Sequence, residues 1–427
     1  MSALSSPGRV TSRPRQEPQG EMPESGVAPA EAVEAVRERL DRDFHPASNL
    51  ATFLTTSFEP EAEKLFGSYL HYNLADRDQY PGLEDLAQEC VRILGGLWHG
   101  DPERVVGSAT TGSSEAAMLA GATLLRRWQA RSGTAGARPN LVMGAGSHVC
   151  WLKFCRHWGV EARVAPARPG SLGLDAGVVS QLCDESTIGV VSVLGSTLDG
   201  SYDPVRDIST ALDELALHRG VDVPLHIDAA SGGLFTPFVD PELAWDFQLP
   251  RVVSINASGH KYGLVPPGLG WVVWRSGETR TGGLGFSVNY LGTNDTYHEL
   301  SFSKSAAPVV LQYYNFLRLG FTGYRTVHTR TRSVAAMLAG RLRETGRFHL
   351  LGDGSQLPVI ALTAAPDLKL THLAMHLADR GWSVPVYALP PDLTDVEVLR
   401  IVVRNDLTAD AAESFASAVR EFTRSAS

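Results

Sequence analysis

Lys261, in the stretch SINASGHKYG (254–263), is a lysine set among residues too small to cover it. An amine with room around it can bond an aldehyde, and a confined setting lowers its pKa so that the free amine is available near neutral pH. Taken alone, Lys261 reads more simply as a solvated lysine on a turn. HIDAASGG (226–233) brings an apolar run to an end on Asp228. That acid could pair with a cationic ring nitrogen or simply cap the chain that follows. GSATTGSSEAAMLAG (107–121) delivers Ser113 and Ser114 to the start of a helix. Exposed N–H groups and hydroxyls there form an anion site, commonly for phosphate, although plain N-capping by serine is the alternative. SHVCWLKF (147–154) sets His148 near aromatic residues, either against a ring or as a satisfied core histidine.

The order Ser-Ser, His, Asp, Lys is far rarer than any of its members. It assigns one role to each feature of pyridoxal 5′-phosphate: phosphate, ring face, ring nitrogen and aldehyde. On this reading Lys261 is left uncovered because a cofactor covers it. No metal-ligand set is expected.

The elements that must position these groups follow from the apolar pattern. NLVMGA, ARVAPA, IGVVSVLG, PLHIDA, VVSINA and GLGWVVW read as buried strands, and LEDLAQECVRILGGLW and SSEAAMLAGATLLRRWQA have helical periodicity. Strands alternating with helices imply parallel pairing and an α/β layer sandwich. A long helix is expected around 305–345. LPVIALTA, THLAMHLADRG and EVLRIVVR then form a smaller α+β unit. The expected division is a disordered tail and N-terminal helix over 1–45, a large domain over 46–325 and a small domain over 326–427. Residues 1–28 hold almost no large apolar side chains, which is the basis for the tail. PAEAVEAVRERLDRDF (29–44) reads as an amphipathic helix in want of a partner surface.

The 427 residues suit two or three packed units, and the net charge of −9 argues against nucleic acid as a partner. No run approaches the roughly 18 apolar residues of a membrane span. The first residues, MSALSSPGRVTSRPRQ, lack the apolar core of an export signal, so a cytoplasmic protein is expected. Cys90, Cys150, Cys155 and Cys183 show no CxxC spacing and read as reduced core thiols.

From about residue 48 to 404 the chain resembles the pyridoxal-phosphate glutamate decarboxylases of the group II amino-acid decarboxylases. NLATF, DQYPGLEDLAQECVRILGGLWH, GSSEAAML, ESTIGVV, HIDAASGG, DFQLPRVVSINASGHKYGL, NYLG and QYYNFLRLG carry the resemblance. It implies fold type I: a large domain with a central, mostly parallel sheet and a smaller C-terminal α+β domain. It implies a carboxy-lyase that takes L-glutamate to 4-aminobutyrate and CO2. Lys261 is then the lysine that bonds the cofactor, with His260 beside it on the phosphate. Asp228 faces the pyridinium nitrogen, and Ala230 lies against the ring. Ser113 and Ser114 bind the phosphate, joined by Ser303 from a neighbouring subunit of a homodimer or higher oligomer. Thr197 sits near the 3′-oxygen. Arg400 grips the substrate α-carboxylate, while Thr52, Phe53 and Asp76 surround its side-chain carboxylate. Tyr290 and Leu291 belong to a mobile loop over the site, and Tyr290 or His148 returns a proton to Cα.

The chain also departs from the family pattern. His148 stands where the bacterial enzymes carry glutamine. SFSKSAAPVV replaces the usual FSRPAGQV, LGTNDTYHEL departs from the usual loop, and the expected longer tail ending in histidine is absent. Two alternatives stay open at this level. One is a decarboxylase of a modified glutamate or another small amino acid. The other is a different reaction class on the same fold: transaminase, aldolase or oxidative deaminase.

Overall fold

The computed structural model describes residues 20, 22–131, 136–280, 285–288 and 295–425. Much of the expected tail therefore lies outside the described residues. Seven strands build the main sheet: β1 (Val106–Thr110), β2 (Asn140–Gly144), β3 (Glu161–Ala165), β4 (Thr187–Val193), β5 (Leu225–Asp228), β6 (Val252–Ser258) and β7 (Gly270–Trp274). Their order is β1-β7-β6-β5-β4-β2-β3. The block β3-β2-β4-β5-β6 is parallel, because a helix-containing crossover returns the chain to the same edge before each of β3, β4 and β5.

Two expectations need correction. GLGWVVW does form β7, but it runs antiparallel to β6, since the connection after Ser258 is too short to cross the sheet. ARVAPA forms β3, but it is not fully buried. It ends the sheet, pairs on one side only and leaves Val164 42% exposed. β1, whose small residues give a weak apolar signal, pairs antiparallel with β7 and so points the same way as β6. As a result β1, β2, β4, β5 and β6 all deliver their C-terminal ends to one edge, where open α/β sheets place their ligands.

After the short hairpin β8 (Phe286–Val288) and β9 (Asp295–Tyr297) comes a second, antiparallel sheet. It holds β10 (Phe348–Asp353), β11 (Val359–Ala364), β12 (Val386–Ala388) and β13 (Glu397–Val402) in the order β10-β11-β13-β12. The expected long helix spans Ala307–Arg343 and kinks at Gly320, whose φ of 56° suits glycine. Its first part packs Val309 and Leu311 on the main core, and its last part packs Val334 and Leu338 against the second sheet. The helix Pro29–Leu40 buries none of its residues on this chain, leaving Val33, Val36 and Leu40 exposed. All four cysteines are buried and unpaired, and burial pushes Cys155 and Cys183 up to about 12. No helix of the described residues is long and apolar enough to cross a membrane.

Candidate active site

A cavity of about 360 Å³ opens at the C-terminal edge of the main sheet. Ser113, Ser114, His148, Thr197, Asp228, Ala230, His260 and Lys261 all line it. Strand direction explains this convergence of residues distant in sequence. Ser113 follows β1, His148 follows β2, Thr197 follows β4, Asp228 ends β5, and Lys261 follows β6.

Ser113 and Ser114 open the helix Ser113–Gln129, so their backbone N–H groups belong to its unsatisfied first turn. Gly270 at the start of β7 makes room for that turn: a Cβ there would lie 2.3 Å from the Gly112 carbonyl carbon. The Ser113 hydroxyl accepts from Ser258 Oγ at 2.9 Å.

Asp228 is 4% exposed and held by three donors. Its Oδ2 accepts from Trp151 Nε1 at 2.8 Å, and its Oδ1 from Asn256 Nδ2 at 3.0 Å and from the Ala230 N–H at 3.2 Å. These three donors fix the orientation of the carboxylate, which lines the cavity. Asn256 is itself oriented by His226, whose Nε2 lies 2.8 Å from Asn256 Oδ1 and whose Nδ1 lies 2.8 Å from Ser254 Oγ. With the amide N–H groups turned to the carboxylate, His226 Nε2 carries the proton and Nδ1 accepts from Ser254. Burial holds His226 down at about 4, consistent with a neutral ring.

Lys261 Nζ donates to Ser231 Oγ at 3.1 Å and lies 4.9 Å from the centre of the Phe53 ring. Burial pushes the amine down to about 8, a shift that Asp228 opposes. His260 is held down at about 4 by burial and then by Lys261. His148 caps the helix Val149–Trp158, its Nδ1 accepting from the Cys150 N–H at 3.3 Å. Burial lowers its pKa as well.

Arg400, on β13, reaches the same region from the second sheet. It donates to the Thr197 carbonyl at 2.6 Å and the Ala51 carbonyl at 2.7 Å, and its guanidinium carbon lies 5.1 Å from the centre of the Phe53 ring. Phe53 is thus shared between Lys261 and Arg400. Thr52 precedes it, with its hydroxyl accepting from the Leu54 N–H at 3.1 Å.

Of the expected site residues that are described, Thr52, Phe53, Asp76, Ser303 and Arg400 are not among those lining the cavity, although Phe53 and Arg400 adjoin it through the contact of the Phe53 ring with Lys261. Asp76 accepts from Asn73 Nδ2 at 3.1 Å and does not line the cavity, and Ser303 is exposed. Tyr290 and Leu291 lie outside the described residues. Four functional neighbours escaped the reading of the sequence: Trp151, Asn256, Ser258 and Ser231. A signal for two of them was present. Ser254, Asn256 and Ser258 alternate along an otherwise apolar strand, so they share one face, in register with His226 and Asp228 on β5.

The residues fit pyridoxal 5′-phosphate. The Nδ1 atom of His260 is buried without a partner, the helix start offers phosphate donors, and a lysine of lowered pKa lines the same space as the Asp228 carboxyl group.

The pyridoxal-dependent decarboxylase conserved domain matches residues 28–364. A glutamate decarboxylase of Aliivibrio fischeri is 42% identical over 93% of this chain and 87% of that protein. One of Solanum lycopersicum is 40% identical over 95% of this chain and 82% of its own length. The solved glutamate decarboxylase of Lactobacillus brevis superposes with a TM-score of 0.91 at 39% identity, covering 95% of both chains. The sphingosine-1-phosphate lyase of Burkholderia pseudomallei shares the fold, with a TM-score of 0.80 at 24% identity. With its cavity built at the carboxyl edge of a fold type I sheet, the chain belongs to the pyridoxal-dependent decarboxylases.

Proposed function

We propose that this chain is a carboxy-lyase that decarboxylates L-glutamate to 4-aminobutyrate and CO2. The observation that carries the reading is one cavity lined by both Lys261 and Asp228, with the Arg400 guanidinium held beside the same Phe53 ring that Lys261 approaches. The family and the glutamate decarboxylases that resemble the chain over most of its length support it.

Pyridoxal 5′-phosphate, when bound, supplies an aldehyde for the substrate amine and a conjugated ring that absorbs the electron pair left by CO2. Lys261 is the residue that would hold the aldehyde, and at a pKa near 8 a useful share of its amine is free at neutral pH. Ser113, Ser114 and His260 would hold the phosphate. Asp228, fixed by its three donors, would keep a proton on the ring nitrogen. Arg400 would bind the α-carboxylate and set the direction of the bond to be broken. Its present carbonyl partners, on Thr197 and Ala51, fix its placement beside Phe53. His148, which lines the cavity and whose pKa burial lowers, or Tyr290 would return a proton to Cα.

We further infer that the working unit is a homodimer or higher homo-oligomer. Ser303 and Asp76 stand off this chain's cavity and would serve a neighbour's. The domain division near residue 325 and a reducing, cytoplasmic setting belong to the same reading, the latter resting on four unpaired thiols. The test is an assay of CO2 and amine products over a panel of amino acids. Stoichiometric 4-aminobutyrate from glutamate is expected. A different amine formed faster from another amino acid would overturn the substrate, and product without CO2 would overturn the reaction class.

A further inference from the structure

Between Pro46 and Thr56 the chain leaves the second sheet, passes Arg400 and reaches the lysine turn. At its start it lies along the edge of the second sheet: the Leu50 N–H donates to the Ser383 carbonyl at 2.9 Å, and the Val402 N–H donates to the Leu50 carbonyl at 2.9 Å. At its end the Thr55 N–H donates to the His260 carbonyl at 3.0 Å, and the Thr55 hydroxyl donates to the Lys261 carbonyl at 2.6 Å. Midway, Ala51 gives its carbonyl to Arg400, and the Phe53 ring centre lies 5.1 Å from the Arg400 guanidinium carbon and 4.9 Å from Lys261 Nζ. One segment therefore touches the backbone of Lys261 and the guanidinium of Arg400.

Arg404, four residues beyond Arg400, is 3% exposed. Its guanidinium donates to the carbonyls of Pro46 at 3.0 Å and Thr52 at 3.3 Å, and also to that of Asn49. Its Nε donates to Asp406 Oδ1 at 3.3 Å, and Asp406 in turn accepts from the Thr56 hydroxyl. A rigid planar fork satisfies several carbonyls at fixed angles, which a flexible ammonium cannot reproduce. No other part of Arg404 is needed by the cavity, which it does not line.

We propose that residues 49–56 form a strap that sets the separation between Lys261 and Arg400, and that Arg404, which contacts neither, is the positioning residue that holds the strap. This rests on the roles assigned above to Lys261 and Arg400. Substrate is held at its amine near Lys261 and at its α-carboxylate by Arg400, and because both groups are bonded to one Cα the two anchors must keep a fixed separation. A loosened strap therefore misplaces the carboxylate relative to the amine while leaving the phosphate and ring contacts of the main sheet intact.

The test compares wild-type holoenzyme with Arg404→Met and Arg404→Lys, and measures three quantities. These are pyridoxal-phosphate affinity, KM and kcat for glutamate, and calorimetric binding of glutarate, a dicarboxylate that lacks the amine. For Arg404→Met we expect cofactor affinity within about twofold of wild type, with KM and the glutarate dissociation constant both raised about tenfold or more. The lysine variant, which keeps the charge and loses the fork, falls between. Faster hydrogen exchange at the Thr55 amide should accompany the change. Unchanged KM and unchanged glutarate binding in Arg404→Met overturn the strap. Loss of cofactor affinity in parallel with KM also overturns it, by making Arg404 a general stabiliser. If Arg404→Met does not fold, Thr56→Val decides, since it removes only the hydroxyl on Asp406. A threefold rise in KM at constant cofactor affinity supports the strap, and an unchanged KM overturns it. A wild type that neither decarboxylates glutamate nor binds glutarate sinks the functional reading instead, and Thr55 exchange in the variants still reports on the strap.

Discussion

The indole N–H of Trp151 donates to Oδ2 of Asp228 at 2.8 Å, in a pocket where the indole is fully buried and the carboxylate nearly so. The two residues arrive from different layers, Trp151 from the helix after β2 and Asp228 from the end of β5. Removing the donor leaves the carboxylate in place with one partner fewer. Trp151→Phe should therefore cost about 2 kcal/mol of stability, the usual size for a buried hydrogen bond to a charge, and should weaken cofactor binding. Denaturant unfolding and a cofactor titration read the two effects. An unchanged cofactor affinity would show that Trp151 only fills space.

Asp228→Asn keeps the shape and removes the charge that, on the proposed function, would favour a protonated ring nitrogen. Turnover is expected to fall by about a hundredfold or more, in the range seen when one preorganised electrostatic group is lost, while the fold persists. Steady-state kinetics alongside a thermal melt make the measurement. Full activity at unchanged cofactor affinity would reduce Asp228 to a cap at the end of β5.

Lys261 provides the pH signature. Burial lowers its pKa from 10.5 to about 8, so the free amine gains population at lower pH than in an ordinary lysine. Below that value the free fraction falls about tenfold for each pH unit. Recombination of apoprotein with pyridoxal phosphate should thus accelerate from pH 6 to 8 and level off above about 9. Stopped-flow absorbance follows it, with a simple amine in solution as the control for the aldehyde's own ionisation. Lys261→Ala should bind the cofactor without becoming covalently linked to it on borohydride reduction, whereas the wild type retains the reduced cofactor through denaturation. A midpoint near 10.5 in the wild type would show that the amine is solvated.

Ser303 tests the assembly. If it serves a neighbour's phosphate, chains carrying Lys261→Ala and chains carrying Ser303→Glu should each be inactive. Hybrids refolded from the two should regain turnover, because one site then combines an intact Lys261 with an intact Ser303 from the other chain. No recovery in the hybrid would confine each site to a single subunit, and a fully active Ser303→Glu would remove Ser303 from the site.

The chemistry was legible in the sequence where it depends on local features. Lys261 in its small-residue turn, Asp228 at the close of an apolar strand and Ser113-Ser114 at a helix start each advertise themselves through immediate neighbours. The order in which they occur names the cofactor. The alternation of strand and helix likewise determines a mostly parallel sheet, since crossovers of that length return the chain to the same edge. Tertiary structure alone decided the direction of β7, the edge position of β3 and the partners that hold the chemical groups. Trp151 meets Asp228 across 77 residues, and Arg404 meets Asn49 across 355. Neither pairing leaves a local pattern, because a buried donor needs an acceptor in space and the sequence records only order along the chain. For the same reason, NLATF marks residues 49–53 as part of the family pattern and Thr52 and Phe53 as pocket residues, while their tie to Arg404 and to the backbone of Lys261 appears only once the second sheet folds back upon them.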